Sequence, residues 1–387
     1  MELTAIFQQH FGHPPAVIVR APGRVNLLGE HVDYNDGLVL PAAIDRAVYI
    51  AAAPDEEGKV SLHALDLGES VTFRLQDIDG HIDIQAKPLP HWAQYPAGVA
   101  WALKEAGLAV TGLQAVFTSN IPIGSGLSSS AAVEVGFAVV WRALAGWQCE
   151  PLRVAQLCQR AENAYVGVSC GLMDQFASAC GVEDHALCFD TRSLTWEPAP
   201  LPEGTAIVIA DSGVRRSLAT SAYNDRRAAC EKAVAELKKF MPEIHSLRDV
   251  LPTEYAAYSA YLSPEVRKRG EHIVKEIGRV QSALSALHRQ DKRAFGALMY
   301  AGHKSLRNLY EVSTPELDTL VELARDLPGA IGARLTGAGF GGCTVNLVEA
   351  DQAGEFIEAL KLGYKQKTGK QAQIYLCKAS QGASVIT

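Results

Sequence analysis

The segment Pro22–Gly37 (P-G-R-V-N-L-L-G-E-H-V-D-Y-N-D-G) crowds Arg24, Asn26, Glu30, His31, Asp33 and Asp36 among turn-forming glycines. A carboxylate accepts hydrogen bonds from two neighbouring hydroxyls at once, so this set suits a polyhydroxyl ligand. A solvated loop explains the Asn35-Asp36-Gly37 turn but gives Glu30, His31 and Asp33 no task. A second segment, Pro122–Ala132 (P-I-G-S-G-L-S-S-S-A-A), sets Gly124 and Gly126 before the hydroxyls Ser128, Ser129 and Ser130. Glycines let backbone N–H groups approach an anion, and a helix starting there adds free N–H groups and a positive dipole end. Its serines suit phosphate oxygens or a shared Mg²⁺; an ordinary Ser-rich helix cap has the same composition. With no Gly-Lys-Ser/Thr, it is not the common P-loop.

A third segment, Leu335–Cys343 (L-T-G-A-G-F-G-G-C), contains G-x-G-x-x-G at Gly337, Gly339 and Gly342. Such a fingerprint binds dinucleotides only where it opens a helix, and Cys343–Val348 is β-like, so a dinucleotide oxidoreductase is set aside. A glycine-rich hairpin approaching a ligand or another backbone fits better. Asp174 stands in the largely apolar run Cys170–Phe176 (C-G-L-M-D-Q-F). A carboxylate drawn into an apolar site is paired with a cation and suits base chemistry. A helix N-cap or a structural ion pair would use it as well.

The elements that must hold these residues follow from periodicity. Strands are expected at Ala16–Arg20, Ala47–Ala53 and Gln114–Ser119, the last leading into the Gly/Ser loop. Helices are expected at Ala131–Ala145, closed by Gly146, and at Pro151–Asn163. Pro198–Pro202 (P-A-P-L-P) reads as a connector between domains. A strand at Ala206–Ala210, helical stretches at Tyr223–Phe240, Pro264–Tyr310, Leu317–Leu327 and Phe356–Lys367, and strands within Ala333–Val348 and at Gln373–Lys378 complete an α+β pattern.

At 387 residues two domains are expected. The 43 acidic residues outnumber the 36 basic ones and no basic run occurs, which argues against a nucleic-acid surface. No apolar stretch reaches membrane-spanning length, no signal peptide is evident, and the eight cysteines form no C-x-x-C pair. A cytoplasmic protein with reduced thiols is expected.

Taken in order, the three glycine-bearing segments resemble the three motifs of the GHMP small-molecule kinases, and the first is similar to the signature of the galactokinase family within them. Similarity continues through Arg160-Ala161-Glu162-Asn163, C-G-L-M-D-Q-F, G-V-R-R-S-L and Tyr223-Asn224-Asp225-Arg226-Arg227, so it covers nearly the whole chain. Val32 stands where the family commonly has threonine, and Asp211-Ser212-Gly213 departs in detail from the family's run before G-V-R.

The resemblance implies a two-domain GHMP kinase fold of α+β class. Residues 1–193 would form an N-terminal domain of mixed sheet and helices, and 194–369 a ferredoxin-like C-terminal domain. The active site would lie in the cleft between them, and the last strand, about 370–387, would return to the first domain. The implied reaction moves the γ-phosphoryl of ATP to the C1 hydroxyl of galactose, the first committed step of its catabolism. Related kinases for N-acetylgalactosamine or arabinose, and a non-catalytic sensor of galactose and ATP, stay open beside it.

The resemblance also implies roles. Asp174 would be the catalytic aspartate facing the C1 hydroxyl, with Arg24 beside it. Glu30, His31, Asp33, Gly171 and Tyr223 would bind galactose. Gly124, Ser125, Gly126, Leu127, Ser128, Ser129 and Ser130 would cradle the phosphates of ATP. Trp92 and Tyr95 would lie beside its base, although read without the family they look like a core aromatic pair; Arg215 would lie on the nucleotide side. Mg²⁺ would be held through Ser129, Ser130 and Glu162. A monomer or weak homo-oligomer is expected, binding neither nucleic acid nor membrane.

Overall fold

The computed structural model describes residues 2–122, 124–215 and 219–386, with backbone alone for 219–221. Ile123 of the Gly/Ser segment and Arg216–Leu218 of the G-V-R-R-S-L run lie outside the described residues.

Among the described residues the strands are β1 (Val17–Asn26), β2 (Leu38–Val39), β3 (Pro41–Asp55), β4 (Lys59–Ala64), β5 (Glu69–Arg74), β6 (Gly112–Ser119), β7 (His185–Asp190), β8 (Trp196–Pro200), β9 (Thr205–Asp211), β10 (Ala330–Thr336), β11 (Cys343–Glu349), β12 (Gln373–Cys377) and β13 (Ser384–Val385). They form three sheets, in the orders β13-β1-β3-β6-β4-β5, β2-β7-β8 and β10-β11-β9-β12. The β4–β6 pair is parallel; every other pair is antiparallel.

The first sheet is covered by the helix Ser129–Ala145, whose Gly136 sits where a Cβ would stand 2.8 Å from Ile50 Cδ1. The helix ends at Gly146 in the left-handed conformation, φ 72°, as its composition predicts. In the third sheet β9 alternates cleanly. Ile207 and Ile209 join the main core, while Val208 and Ala210 face a second core made with Leu320, Phe356, Leu360 and Tyr364. The helices Pro315–Asp326 and Ala353–Thr368 supply those last four side chains.

Two expectations need correction, and a third gains detail. Pro198–Pro202 is not a free connector, because Trp196–Pro200 is β8. Its prolines are tolerated because β8 is an edge strand, pairing only with β7. Pro264–Tyr310 is helical as expected, divided into Pro264–His288 and Lys292–Ser305 where Asp291 caps the second through Ala294 N–H at 2.9 Å. The C-terminal return begins later than expected: Gln373–Cys377 stays paired with β9, after which Lys378–Ser380 meets β3 at Ala43–Asp45, and Ser384 and Val385 pair with β1 opposite Arg20 and Val19.

Two helices end in a wide π turn, Ala161–Val166 and Leu306–Tyr310. Such turns shift the register of the side chains they carry and recur at functional sites. The first carries Glu162 and the second ends on Tyr310.

Candidate active site

The β1–β3 ladder shifts register between Pro22 and Arg24. That irregularity re-aims Arg24 away from the sheet. It needs a glycine at position 23, where a Cβ would stand 2.6 Å from the Leu127 carbonyl oxygen. The Arg24 N–H donates to that same oxygen at 3.2 Å, and its Nη1 to Gly126 O at 2.7 Å. Its Nε and Nη2 both reach Asp174 Oδ1, at 2.9 and 2.7 Å. The other carboxylate oxygen, Oδ2, accepts from the Ser128 hydroxyl at 2.5 Å.

This geometry excludes the helix-cap readings of both segments. Ser128 has φ 59° and its side chain makes no cap hydrogen bond; the hydroxyl crosses to Asp174 instead. Asp174 caps no helix either, since the helix Met173–Cys180 follows Leu172 at its N-cap. Asp174 is an ion-paired carboxylate, 31 % exposed, on the wall of a cavity.

That cavity has a volume of about 300 Å³ and is lined by Arg24, Glu30, His31, Asp33, Glu162, Gly171, Asp174 and Tyr223, among others. Glu30 is buried and accepts the Gly337 N–H at 2.8 Å. Burial pushes its carboxyl above the usual range, against the pull of Arg334 and Arg24. His31 is buried at φ 64°, and desolvation holds its ring neutral, down to about 3. Desolvation first, and then the charge of Asp174, push Asp33 up to about 7. The ring of Tyr223 lies 5.5 Å from those of His31 and Tyr34. Gly171 is required by contact, since a Cβ there would stand 1.8 Å from Asp33 Oδ2.

Behind this wall lies a buried acidic group. Gln175 Nε2 donates to Glu162 Oε2 at 2.6 Å and to Glu134 Oε2 at 2.9 Å. Burial pushes both carboxyls up, Glu162 to about 7 and Glu134 well above the usual carboxylate range. The nearby Ser130 hydroxyl favours the charged form of Glu162, and Glu134 Oε1 has no partner. Among the described residues no three His, Cys, Asp or Glu side chains are placed to hold a metal by themselves. The Ser130 hydroxyl and Glu162 carboxylate nonetheless make an all-oxygen donor pair. That pair suits a hard divalent cation whose other ligands come from a bound phosphate.

A second cavity, of about 500 Å³, opens between the Gly/Ser loop and the glycine hairpin, lined by Gly124, Gly126, Arg215 and Thr336–Gly342 without Gly337. The two backbones touch: a Cβ on Gly337 would stand 2.8 Å from Gly126 O, and one on Gly342 2.8 Å from Ser125 O. The hairpin therefore approaches another backbone, as its glycines suggested, and opens no helix. Arg215 pairs with both oxygens of buried Asp211, at 2.8 and 2.6 Å. Ala338 lines both cavities, which meet at that residue.

The structure thus gathers Asp174, Arg24, Glu30, His31, Asp33, Gly171, Tyr223 and Glu162 around one space, and Gly124, Gly126 and Arg215 around the next. Ser125 turns inward, its hydroxyl on Pro122 O at 2.6 Å. Ser129 opens the helix behind the loop. Trp92 and Tyr95 share the helix His91–Glu105 but line neither cavity. Trp92 Nε1 donates to Glu69 at 2.6 Å, and Tyr95 lies within the electrostatic reach of Glu162 and Glu134.

Val32 is core, fully buried. Sequence reading missed Gln175, Tyr34, Tyr310 and Ala338. The first two sit inside segments already singled out, D-Q-F and H-V-D-Y-N, where any polar residue warranted a question. Ala338 lies in the glycine segment L-T-G-A-G but has no polar side chain to draw notice, and Tyr310 carried no local mark.

Comparison with known proteins gives a consistent result. Residues 5–54 match the family model described as the galactokinase galactose-binding signature, 94–182 the GHMP kinases N terminal domain, and 283–366 the GHMP kinases C terminal. A galactokinase of Roseiflexus sp. (strain RS-1) is 45 % identical over 98 % of this chain and 96 % of its own. The galactokinase of Homo sapiens is 43 % identical over 100 % and 96 %. The crystal structure of Lactococcus lactis galactokinase complexed with galactose superposes with a TM-score of 0.93, at 34 % identity, covering 99 % of this chain and 98 % of that one. The Methanococcus jannaschii mevalonate kinase, 20 % identical with a TM-score of 0.64 over 94 % of this chain and 98 % of its own, shares the fold.

Proposed function

The chain belongs to the galactokinase family of the GHMP kinases, and from that premise we propose that it transfers the γ-phosphoryl of ATP to the C1 hydroxyl of galactose. The observation that carries this reading is Asp174, clamped between Arg24 and Ser128 on the wall of a polar cavity that meets a glycine-lined one.

Galactose would occupy the first cavity, its hydroxyls toward Glu30, His31, Asp33 and Tyr223, with Gly171 keeping the wall open. The nucleotide phosphates would occupy the second, along Gly124–Ser130, with Arg215 on their flank and Trp92 and Tyr95 toward the base. The oxygen on C1 attacks the γ-phosphorus, its proton passes to Asp174, and the bond to the β-phosphate oxygen breaks to release ADP. Arg24, fixed by Gly126 and Asp174, sets a positive charge beside the transferring group. Because phosphoryl transfer has a loose transition state, this placement of reactants and charge contributes as much as the proton acceptor does. Ser129, Ser130 and Glu162 would hold Mg²⁺, which when bound supplies charge neutralisation at the phosphate oxygens.

The division into residues 1–193 and 194–369 is our proposal; the separate third sheet, which begins at Thr205, supports a distinct C-terminal domain, while β8 (Trp196–Pro200) pairs with β7 and so belongs with the N-terminal sheets. Eight free thiols support a cytoplasmic location, and no helix among the described residues is long and apolar enough to cross a membrane. A panel of free sugars tests the substrate: ADP release with ATP and Mg²⁺ should be fastest with galactose. A faster rate with N-acetylgalactosamine or arabinose would contradict the choice of sugar while leaving the kinase chemistry in place.

A further inference from the structure

We propose that Tyr34 is a positioning residue which holds His31 as its Nε2–H tautomer, so that this ring ties the sugar-facing loop to the glycine hairpin of the nucleotide cavity. The assignment follows from donor bookkeeping. His31 Nε2 lies 3.2 Å from the Ala338 carbonyl oxygen, which can only accept, so Nε2 carries a hydrogen. The ring is buried, and no carboxylate hydrogen-bonds to it. His272, Arg226 and Arg334 add only unfavourable charge, so the ring is neutral and Nδ1 carries a bare lone pair. That lone pair, 2.9 Å from the Tyr34 hydroxyl, takes the Tyr34 hydrogen. Tyr34, its hydrogen spent, accepts from the Tyr310 hydroxyl at 2.7 Å, and Tyr310 accepts from the Cys230 thiol at 3.3 Å. One orientation of every hydrogen satisfies the whole chain.

The ring it orients has a particular place. Gly337 N–H donates to Glu30 Oε1 at 2.8 Å, and the neighbouring His31 donates back to the neighbouring Ala338. This reciprocal clamp joins two residues of the sugar-facing loop to two residues of the hairpin, and Ala338 lines both cavities. Were His31 in the other tautomer, its Nε2 lone pair would face the Ala338 carbonyl and the clamp would lose half its bonds. His31 holds a left-handed backbone at φ 64°, an unfavourable conformation that needs such support. Tyr310, at the end of its π turn, also packs its ring 4.7 Å from His31.

The kinetic consequence rests on the sugar-kinase reading; the tautomer does not. Long-range ¹H–¹⁵N correlation on ¹⁵N-histidine-labelled protein at pH 7, with His31 assigned through a His31→Asn spectrum, should show a protonated Nε2 and a bare Nδ1. A hydrogen on Nδ1, alone or with one on Nε2, overturns the proposal. In Tyr34→Phe the Nδ1 resonance should move as its donor is lost, and KM for galactose should rise about tenfold with a smaller change in kcat. Tyr310→Phe leaves Tyr34 donating, so the His31 resonances should stay near their wild-type positions. An unmoved Nδ1 or an unchanged KM in Tyr34→Phe also overturns it. Should Tyr34→Phe fail to fold, the wild-type spectrum decides alone. Should no sugar be phosphorylated at all, the spectrum still decides the tautomer.

Discussion

Gly171 and Asp33 are packed so closely that a Cβ on Gly171 would stand 1.8 Å from the Asp33 carboxylate oxygen Oδ2. The absence of a side chain at one position therefore sets the direction of a carboxylate at another, 138 residues earlier in the chain. Gly171→Ala must displace Asp33 or the loop that carries residue 171. We expect KM for galactose to rise by about tenfold or more, the effect of losing a charged hydrogen-bonding partner, with nucleotide affinity measured without sugar little changed. A wild-type KM for galactose would mean that Asp33 does not meet the sugar.

Asp33 also predicts a pH dependence. Desolvation and the Asp174 charge raise its carboxyl to about 7, so it gains a proton as the pH falls through that value. A carboxylate accepts from two sugar hydroxyls and a carboxylic acid does so less well, so galactose affinity should improve as pH rises from about 6 to about 8. Asp33→Asn should flatten that profile, and Asp174→Asn should move its midpoint to lower pH by removing a repelling charge. A profile that Asp33→Asn leaves intact would assign the titration elsewhere.

Glu162 lies near the start of the π turn Ala161–Val166, where Gln175 and Cys170 donate to its carboxylate. Glu162→Ala should raise the Mg²⁺ concentration giving half-maximal rate roughly tenfold or more. An unchanged Mg²⁺ titration would remove Glu162 from the metal site.

Much of the fold was legible because hydrophobic period and punctuation agree. The alternation in β9, the Gly146 stop and the β-like run after Gly342 each follow from neighbouring residues alone. The prolines of β8 misled because edge position, which makes them harmless, is a property of the sheet. The site divides in the same way. Glycines 124, 126, 337 and 342 announce close backbone approach, yet nothing in the spacing says that two of these segments press on each other. The pairing of Arg24 with Asp174 spans 150 residues and depended on likeness to a family. Tyr34, Tyr310 and Ala338 stayed unread because their importance lies in the direction of hydrogens along a chain of contacts.

The most direct measurement of the central claim is ³¹P NMR of the products formed from ATP, galactose and Mg²⁺ by the intact protein and by Asp174→Asn. The account predicts ADP and a sugar 1-phosphate in equal amounts from the first, with kcat lower by about a hundredfold or more in the second, the size of a lost proton acceptor. Phosphate on another hydroxyl, ADP without a phosphosugar, or an Asp174→Asn protein turning over near the wild-type rate would contradict it.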